Sequence, residues 1–232
     1  MIELKLISSF PQEIIAMDEV GRSPLCGPVV IGAVRIFINQ FDTFATLVRS
    51  MRRNGVKDSK MLSHEQRQEV LNKLGIKEMP FREKGIIEWK GIRLSYVTWD
   101  MQPDVIDAEN IFQASMRGMK EAADFLSIEN KNLTTLLLDG QSKLRWSGDP
   151  YPWREIPIVK GDAKSPLIGL ASIIAKEKRD LWMRQQHELY PQYGLNSNFG
   201  YPTKGHREAI AHYGVSPIHR KTFNKVKEFV KN

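Results

Sequence analysis

Residues 13–37 read EIIAMDEVGRSPLCGPVVIGAVRIF, and this stretch decides the fold. An apolar run on each side flanks a segment rich in glycine, proline and charge, which predicts two paired strands joined by a bend. Asp18 and Glu19 close the first run. Neighbouring strand residues point to opposite faces, so these carboxylates can share a site only if the chain bends at Glu19, which Gly21 permits. An ordinary polar turn would also fit these residues.

Two further apolar segments end at an acidic residue. Asp139 closes the run 134–138, and Asp162 follows the run 156–161. A carboxylate at a strand end is held rigidly and still reaches solvent, so three such ends side by side would form a cage for hard divalent cations. Asp139 is equally compatible with a plain strand–turn junction, and Asp162 with a helix cap. We predict a metal site formed by Asp18, Glu19, Asp139 and Asp162.

The charge of the chain points to an anionic partner. It has 232 residues, enough to bury a full core, with 41% hydrophobic and 26% charged residues as in ordinary globular proteins. The net charge is +7 and the pI is about 9.4. Between Thr203 and Asn232, seven lysines and arginines stand against two glutamates. This end is either a solvated face or a contact for nucleic acid.

Cysteine use and hydropathy indicate the compartment. Cys26 is the single cysteine, so an internal disulfide and a thiolate zinc site are excluded and a reducing compartment is favoured. Residues 1–12 are not a basic run followed by a long apolar one, and no stretch approaches the roughly 20 apolar residues of a membrane span. We predict a cytoplasmic, monomeric protein without membrane association.

Strand and helix patterns alternate along the chain, which predicts an α/β fold. Strand character is predicted for 13–18, 28–37, 79–99 and 133–139. Helices are predicted at 41–53, after the capping box Ser63–Gln66, at 108–126, from Ser165–Pro166 onward, and near 204–213 and 220–231. Loops are predicted at 140–155 and 194–205.

Three sequence features are candidates for substrate contact. Residues 21–23 offer consecutive backbone N–H groups that could hold a phosphate or hydroxyl oxygen. Lys60 precedes the capped helix and could contact phosphate, although a solvated loop explains it equally. Tyr201 lies in a Gly/Pro-framed loop, where it either stacks on a sugar or base or fills the core.

Other polar residues are assigned to structure rather than chemistry. The sequence spacing of His206 and His219 does not suggest a metal pair or a catalytic triad. Lys176 and Asp180 have the i, i+4 spacing of a helix-surface pair. Arg179 and Asp180 are predicted to support the structure.

The order of the motifs resembles the type 2 ribonucleases H, the ribonuclease HII family. The resemblance extends from about residue 13 to Phe223, nearly the whole chain. It rests on the segments 17–30, 58–60, 106–111, 138–140, 160–164, 171–176 with 179–180, 200–203 and 216–220.

The resemblance implies an RNase H-like fold with a mixed sheet flanked by helices. It divides the chain into a catalytic domain, 1–202, and a basic C-terminal helical segment, 203–232, packed on it. It implies cleavage of RNA in RNA/DNA hybrids and of single ribonucleotides in duplex DNA, 5′ of the ribonucleotide, leaving 3′-hydroxyl and 5′-phosphate ends. The acidic quartet would hold two Mg²⁺ or Mn²⁺ ions. The substrate contacts would be Gly21, Arg22, Ser23, Lys60, Lys164 and Tyr201.

Departures from the family pattern motivate an alternative. Ser23 stands where the family usually has glycine, and Phe199 where lysine is common. These changes favour, as an alternative, a duplex-binding module with weakened cleavage, although all four carboxylates are present. The related type 3 enzymes carry an additional N-terminal domain, whereas only about twelve residues precede the first strand here.

Overall fold

A computed structural model describes residues 2–6, 11–89, 91–127, 134–144 and 153–230. Its centre is a six-stranded mixed sheet in the order β3-β4-β2-β1-β5-β6. The strands are β1 (Gln12–Val20), β2 (Val29–Ile38), β3 (Gly85–Trp89), β4 (Ile92–Met101), β5 (Thr134–Asp139) and β6 (Arg154–Ile158). The predicted α/β fold is therefore confirmed.

The strand directions bring the acidic strand ends to one edge of the sheet. β1 pairs antiparallel with β2, as the opening stretch predicts, and parallel with β5, which in turn pairs parallel with β6. Met17 lies opposite Leu138, so Asp18 and Asp139 follow on adjacent strands. Parallel neighbours end at the same edge of a sheet. The ends of β1, β5 and β6 therefore lie side by side, and Asp162 follows β6 in the next helix, Gly161–Lys164.

Helices cover both faces of the sheet. One face packs on α2 (Phe41–Arg53), α3 (His64–Leu74) and α7 (Pro166–Leu189), and the other on α4 (Pro103–Glu109) and α5 (Ile111–Leu126). Short helices complete the described chain: α1 (Glu3–Leu6), α6 (Gly161–Lys164), α8 (Leu195–Asn198) and α9 (Lys204–Tyr213). The predicted caps are present, because Ser63 forms a full capping box and Ser165 caps α7.

Three of the predicted segments have wrong boundaries. The helix predicted at 108–126 is two helices, because Asn110 has a φ of 73° and caps α5 with its side chain. The predicted loop 140–155 contains the buried Trp153 and the start of β6, while residues 145–152 lie outside the described part. The loop 194–205 contains α8 and the start of α9.

The predicted helix at 220–231 is also wrong. Residues 220–226 form turns, followed only by a single 3-10 turn, Lys227–Phe229. The cause is Asp107 on α4, whose carboxylate accepts hydrogen bonds from the backbone N–H groups of Lys221 and Thr222. These bonds, together with the burial of Arg220, hold the segment in turns.

Among the described helices, none is long and apolar enough to cross a membrane.

An acidic site at the ends of three strands

A glycine allows helix α7 to approach Asp18. Gly32 lies opposite Asp18 in the β1–β2 register, and a Cβ at Gly32 would meet the carbonyl oxygen of Ala171 at 2.0 Å. Only glycine permits such close contact between strand and helix. The contact brings Ser172 of α7 near Asp18, where its hydroxyl partly offsets the rise in the pKa of the Asp18 carboxyl that burial causes. Ser59 in turn contacts Ser172, with 2.8 Å between the hydroxyl oxygens.

The strand β1 does not bend at Glu19 as the sequence suggests. Its pairing with β2 continues through Glu19 to Val20, and the chain turns at Gly21, where φ is 94°. Asp18 is buried, and its Oδ1 accepts the backbone N–H of Glu19 at 2.8 Å. Despite the missing bend, the two carboxylates influence each other, since the charge of Glu19 raises the pKa of Asp18.

Asp139 and Asp162 are fixed by backbone groups. The N–H of Gly161 donates to Oδ1 of Asp139 at 2.6 Å, and a Cβ at Gly161 would lie 3.1 Å from the same oxygen. Asp162 is buried in the first turn of α6, where its Oδ1 accepts the N–H of Ala163 at 2.9 Å. Both carboxylates therefore have defined positions at the edge of the sheet.

The acidic quartet is electrostatically strained. Burial, followed by the charges of Glu19, Asp139 and Asp162, raises the pKa of Asp18 well above its ordinary value. Burial first, and then Asp139, raises the pKa of Asp162, which Lys60 partly offsets. Burial also raises the pKa of Glu19, against the opposing effect of Arg22 and with a further contribution from Asp139. The four carboxylates thus lie within one another's electrostatic reach and favour a shared positive charge.

Hard divalent cations fit this donor set. Buried carboxylate oxygens are the ligands that Mg²⁺ and Mn²⁺ prefer, and a cation would relieve the repulsion that raises the pKa of Asp18. Within the described ranges, no three of these carboxylates have ligand atoms that all lie within 4.8 Å of one another.

Predicted substrate contacts lie around the acids. Lys60 is an exposed neighbour, with its Nζ 3.7 Å from Oδ2 of Asp162. Arg22 is exposed as well, and its Nη1 lies 3.1 Å from Oε1 of Glu19. Lys164 is exposed at the end of α6. Lys60 and Arg22 therefore place positive charges at the solvent edge of the acidic site, and Lys164 lies two residues beyond Asp162.

The turn and loop that carry the remaining candidates are adjacent. Tyr201 is 38% exposed, so it does not fill the core. The loop that contains it is bonded to the turn through the N–H of Leu25 and the carbonyl of Gly200, 2.8 Å apart. Ser23 is exposed and does not have the positive φ of Gly21, so its backbone does not require glycine.

The sequence patterns did not reveal the contacts of four buried side chains behind this turn. His206 and His219, whose spacing predicts no pairing, lie with their Nε2 atoms 3.2 Å apart, and the thiol of Cys26 is next to them. Arg220 was not singled out, yet it is fully buried against the turn. The structural role predicted for Arg179 and Asp180 is supported by their burial. The separation of these residues in sequence left no local signal.

Comparison with known proteins identifies the family. The model of the family described as Ribonuclease HII matches residues 15–226. The chain is 37% identical over 217 residues to the ribonuclease HII of Desulfotalea psychrophila, a match that covers 94% of this chain and 83% of the relative. It is 41% identical over 213 residues to that of Chloroherpeton thalassium, covering 91% and 90%.

Solved structures agree. The ribonuclease H2 from Pyrococcus horikoshii superposes with a TM-score of 0.69 at 26% identity, covering 94% of this chain and 96% of that one. The RNase HII from Archaeoglobus fulgidus, solved in complex with PCNA, gives a TM-score of 0.66 at 22% identity over 91% and 95%, and supports the fold alone. The chain therefore belongs to the ribonuclease HII family, metal-dependent endonucleases that cleave RNA in RNA/DNA hybrids.

Proposed function

We propose that this chain cleaves RNA in RNA/DNA hybrids and also single ribonucleotides embedded in duplex DNA. Cleavage falls on the 5′ side of the ribonucleotide and leaves 3′-hydroxyl and 5′-phosphate ends. The observation that carries the proposal is the convergence of carboxylates from β1, β5 and α6, with a raised pKa at Asp18. A protein that only binds a polyanion would gain nothing from four acids at its binding surface.

In this proposal the quartet Asp18, Glu19, Asp139 and Asp162 binds two Mg²⁺ or Mn²⁺ ions. When bound, such ions supply an activated water and stabilise the departing oxygen of the phosphodiester. The protein's own contribution is rigidity: the backbone N–H of Glu19 fixes Asp18, and that of Gly161 fixes Asp139. Lys60 at the rim is placed to meet a phosphate of the substrate backbone.

Recognition of the ribonucleotide is assigned to the turn and the neighbouring loop. The 2′-hydroxyl is the group that distinguishes RNA from DNA at a single nucleotide. The polar groups offered for this contact are the backbone N–H groups of residues 21–23, directly after β1, and the hydroxyl of the exposed Tyr201, whose loop is bonded to the turn through Leu25 and Gly200. Lys164 and the basic segment 203–232 would contact the phosphate backbone of the duplex.

The test compares a DNA duplex that contains one ribonucleotide with a long RNA/DNA hybrid, each with Mg²⁺ or with a chelator. We expect metal-dependent cleavage of both, and sequencing of the products should place the cut 5′ of the ribonucleotide. Asp18→Asn should lower the rate about 10³-fold, because several kcal/mol of charge stabilisation is lost. Asp104→Asn, at an exposed acid on α4, is the matched control and should retain full activity. Cleavage in chelator, or normal turnover by folded Asp18→Asn, would refute the proposal.

A further inference from the structure

The guanidinium of Arg220 donates hydrogen bonds to the backbone of the turn 21–27. Its side chain is fully buried. Nη2 donates to the carbonyl of Gly21 at 2.6 Å, Nη1 to those of Arg22 and Pro24 at 2.9 Å, and Nε to that of Gly27 at 2.9 Å. One planar guanidinium therefore holds four carbonyl oxygens of seven consecutive residues, a geometry that lysine cannot reproduce.

Arg179 of α7 connects the same turn to the loop 199–203. It is fully buried and donates to the carbonyls of Cys26 and Pro28 on one side and, at 3.0 Å, to that of Phe199 on the other. It also passes directly under Gly21, since a Cβ there would lie 2.2 Å from its Nε. Arg179 therefore fixes the distance between the turn and the loop.

The two histidines form a second connection. The backbone N–H of Ser216 donates to Nδ1 of His219 at 3.1 Å, which places the proton of this neutral ring on Nε2. That Nε2–H donates to Nε2 of His206, whose Nδ1–H then donates to the carbonyl of Tyr201 at 3.0 Å. A continuous chain of hydrogen bonds thus runs from the C-terminal segment to the loop that carries Tyr201.

The same hydrogen bonds argue against a metal site formed by Cys26, His206 and His219. Sγ of Cys26 and the two Nε2 atoms all lie within 4.8 Å of one another, a spacing compatible with a soft metal ion. Both Nε2 atoms, however, are already used in the hydrogen bond between the rings. Burial raises the pKa of the Cys26 thiol to about 12, so it remains protonated. The cluster is therefore a set of neutral, hydrogen-bonded side chains.

We propose that Arg220, with Arg179 and the histidine pair, is a positioning residue that sets specificity for a ribonucleotide within DNA. It acts by fixing the turn 21–27 against the loop 199–203. The inference rests on the proposed sensing of the 2′-hydroxyl by these two segments. Because the carbonyl groups of the turn are held from behind, its N–H groups keep one orientation toward the substrate. A misplacement of about 1 Å can cost about 100-fold in rate.

Arg220→Lys is the test, because it keeps the charge and loses the four-carbonyl geometry. Arg35→Lys is the matched control: Arg35 is also buried, but it pairs with Glu13 on β1, away from the turn. We expect Arg220→Lys to lower kcat/KM on the single-ribonucleotide duplex about 10- to 100-fold more than on the long hybrid. Arg35→Lys should change both substrates by the same factor at a comparable loss of thermal stability.

Two more variants make every outcome informative. Arg179→Lys should give the same selective loss, and it replaces Arg220→Lys if that protein does not fold. Tyr201→Ala tests the sensing role on which the inference rests. If Tyr201→Ala separates the two substrates while the arginine variants lower both equally, the positioning role is wrong. If Tyr201→Ala also lowers both equally, the proposed recognition of the 2′-hydroxyl fails as well.

Discussion

The segment that ends before Gly21 and the turn that begins at Gly21 have opposite electrostatic environments. On the N-terminal side, Asp18 and Glu19 are placed close to Asp139 and Asp162, and burial with like charge raises the pKa of Asp18. On the C-terminal side, the carbonyl groups of the turn 21–27 receive hydrogen bonds from buried guanidinium groups. On the first side, the positive charges of Arg22 and Lys60 lie only at the exposed edge and leave the pKa of the buried Asp18 raised, whereas the carbonyl groups of the second side are hydrogen-bonded within the protein. The difference agrees with the proposal that the acidic side binds a cation and that the turn 21–27 holds a fixed shape.

The largest effect on the free energy of unfolding is expected when a side-chain carbon is added at Gly21, where Arg179 packs against the backbone. Gly21→Ala combines an unfavourable φ of 94° with a Cβ 2.2 Å from Nε of Arg179. The matched control is Gly75→Ala, where φ is 73° but no atom lies within 4 Å of the added Cβ. We expect about 1 kcal/mol for the control, and a further 1–3 kcal/mol or so for Gly21→Ala from overpacking. Urea unfolding measures both, and equal losses would show that Arg179 yields without cost.

The histidine pair is expected to make the free energy of unfolding depend on pH in the acidic range. Burial, and then the charge of His206, lowers the pKa of His219 from 6.5 to about 4. As the pH falls below 6.5, the unfolded chain takes up a proton that the folded chain refuses, so the folded state loses stability down to about pH 4. His219→Asn should remove this part of the pH dependence. The check is the unfolding free energy at pH 7, 6 and 5 for both proteins; parallel curves would contradict it.

The smallest effect concerns the exposed lysines of the C-terminal segment. Deleting residues 220–232 would remove the buried Arg220, so charge substitution is the cleaner change. Replacing Lys221, Lys225 and Lys227 with glutamine should flatten the salt dependence of duplex binding by about 0.9 on a log–log scale for each lost phosphate contact. The folded stability should be nearly unchanged. An unaltered slope would assign these lysines to a solvated face.

The acidic side was predictable from sequence because its signals are local. Asp18, Glu19 and Asp139 each end an apolar strand segment, and the strand order brings those ends together. Ser172 could not be recognised as their neighbour, because its place depends on the contact of Gly32 with α7. The quartet's metal-binding role remains a prediction.

The hydrogen bonds that hold the turn 21–27 could not be predicted from sequence, because they join distant parts of the chain. Arg220 and Gly21 are 199 positions apart, and no periodicity links them. The same long-range contacts explain the wrong helix at 220–231: bonds to Asp107 and the burial of Arg220 outweigh local helix propensity. The single helix predicted at 108–126 was wrong for a similar reason. Asn110 has a positive φ and caps α5, so it separates two helices whose apolar residues look continuous in sequence.

The most direct test of the account is the unfolding free energy of Asp18→Asn, measured at neutral pH with and without Mg²⁺. Because the raised pKa of Asp18 means that its charged form is disfavoured in the folded state, the variant should be more stable than the unsubstituted protein in chelator. Mg²⁺ should then stabilise the unsubstituted protein and have little effect on the variant. A variant that is less stable in chelator, or that gains as much from Mg²⁺, would contradict the claim that these carboxylates form a site for a divalent cation.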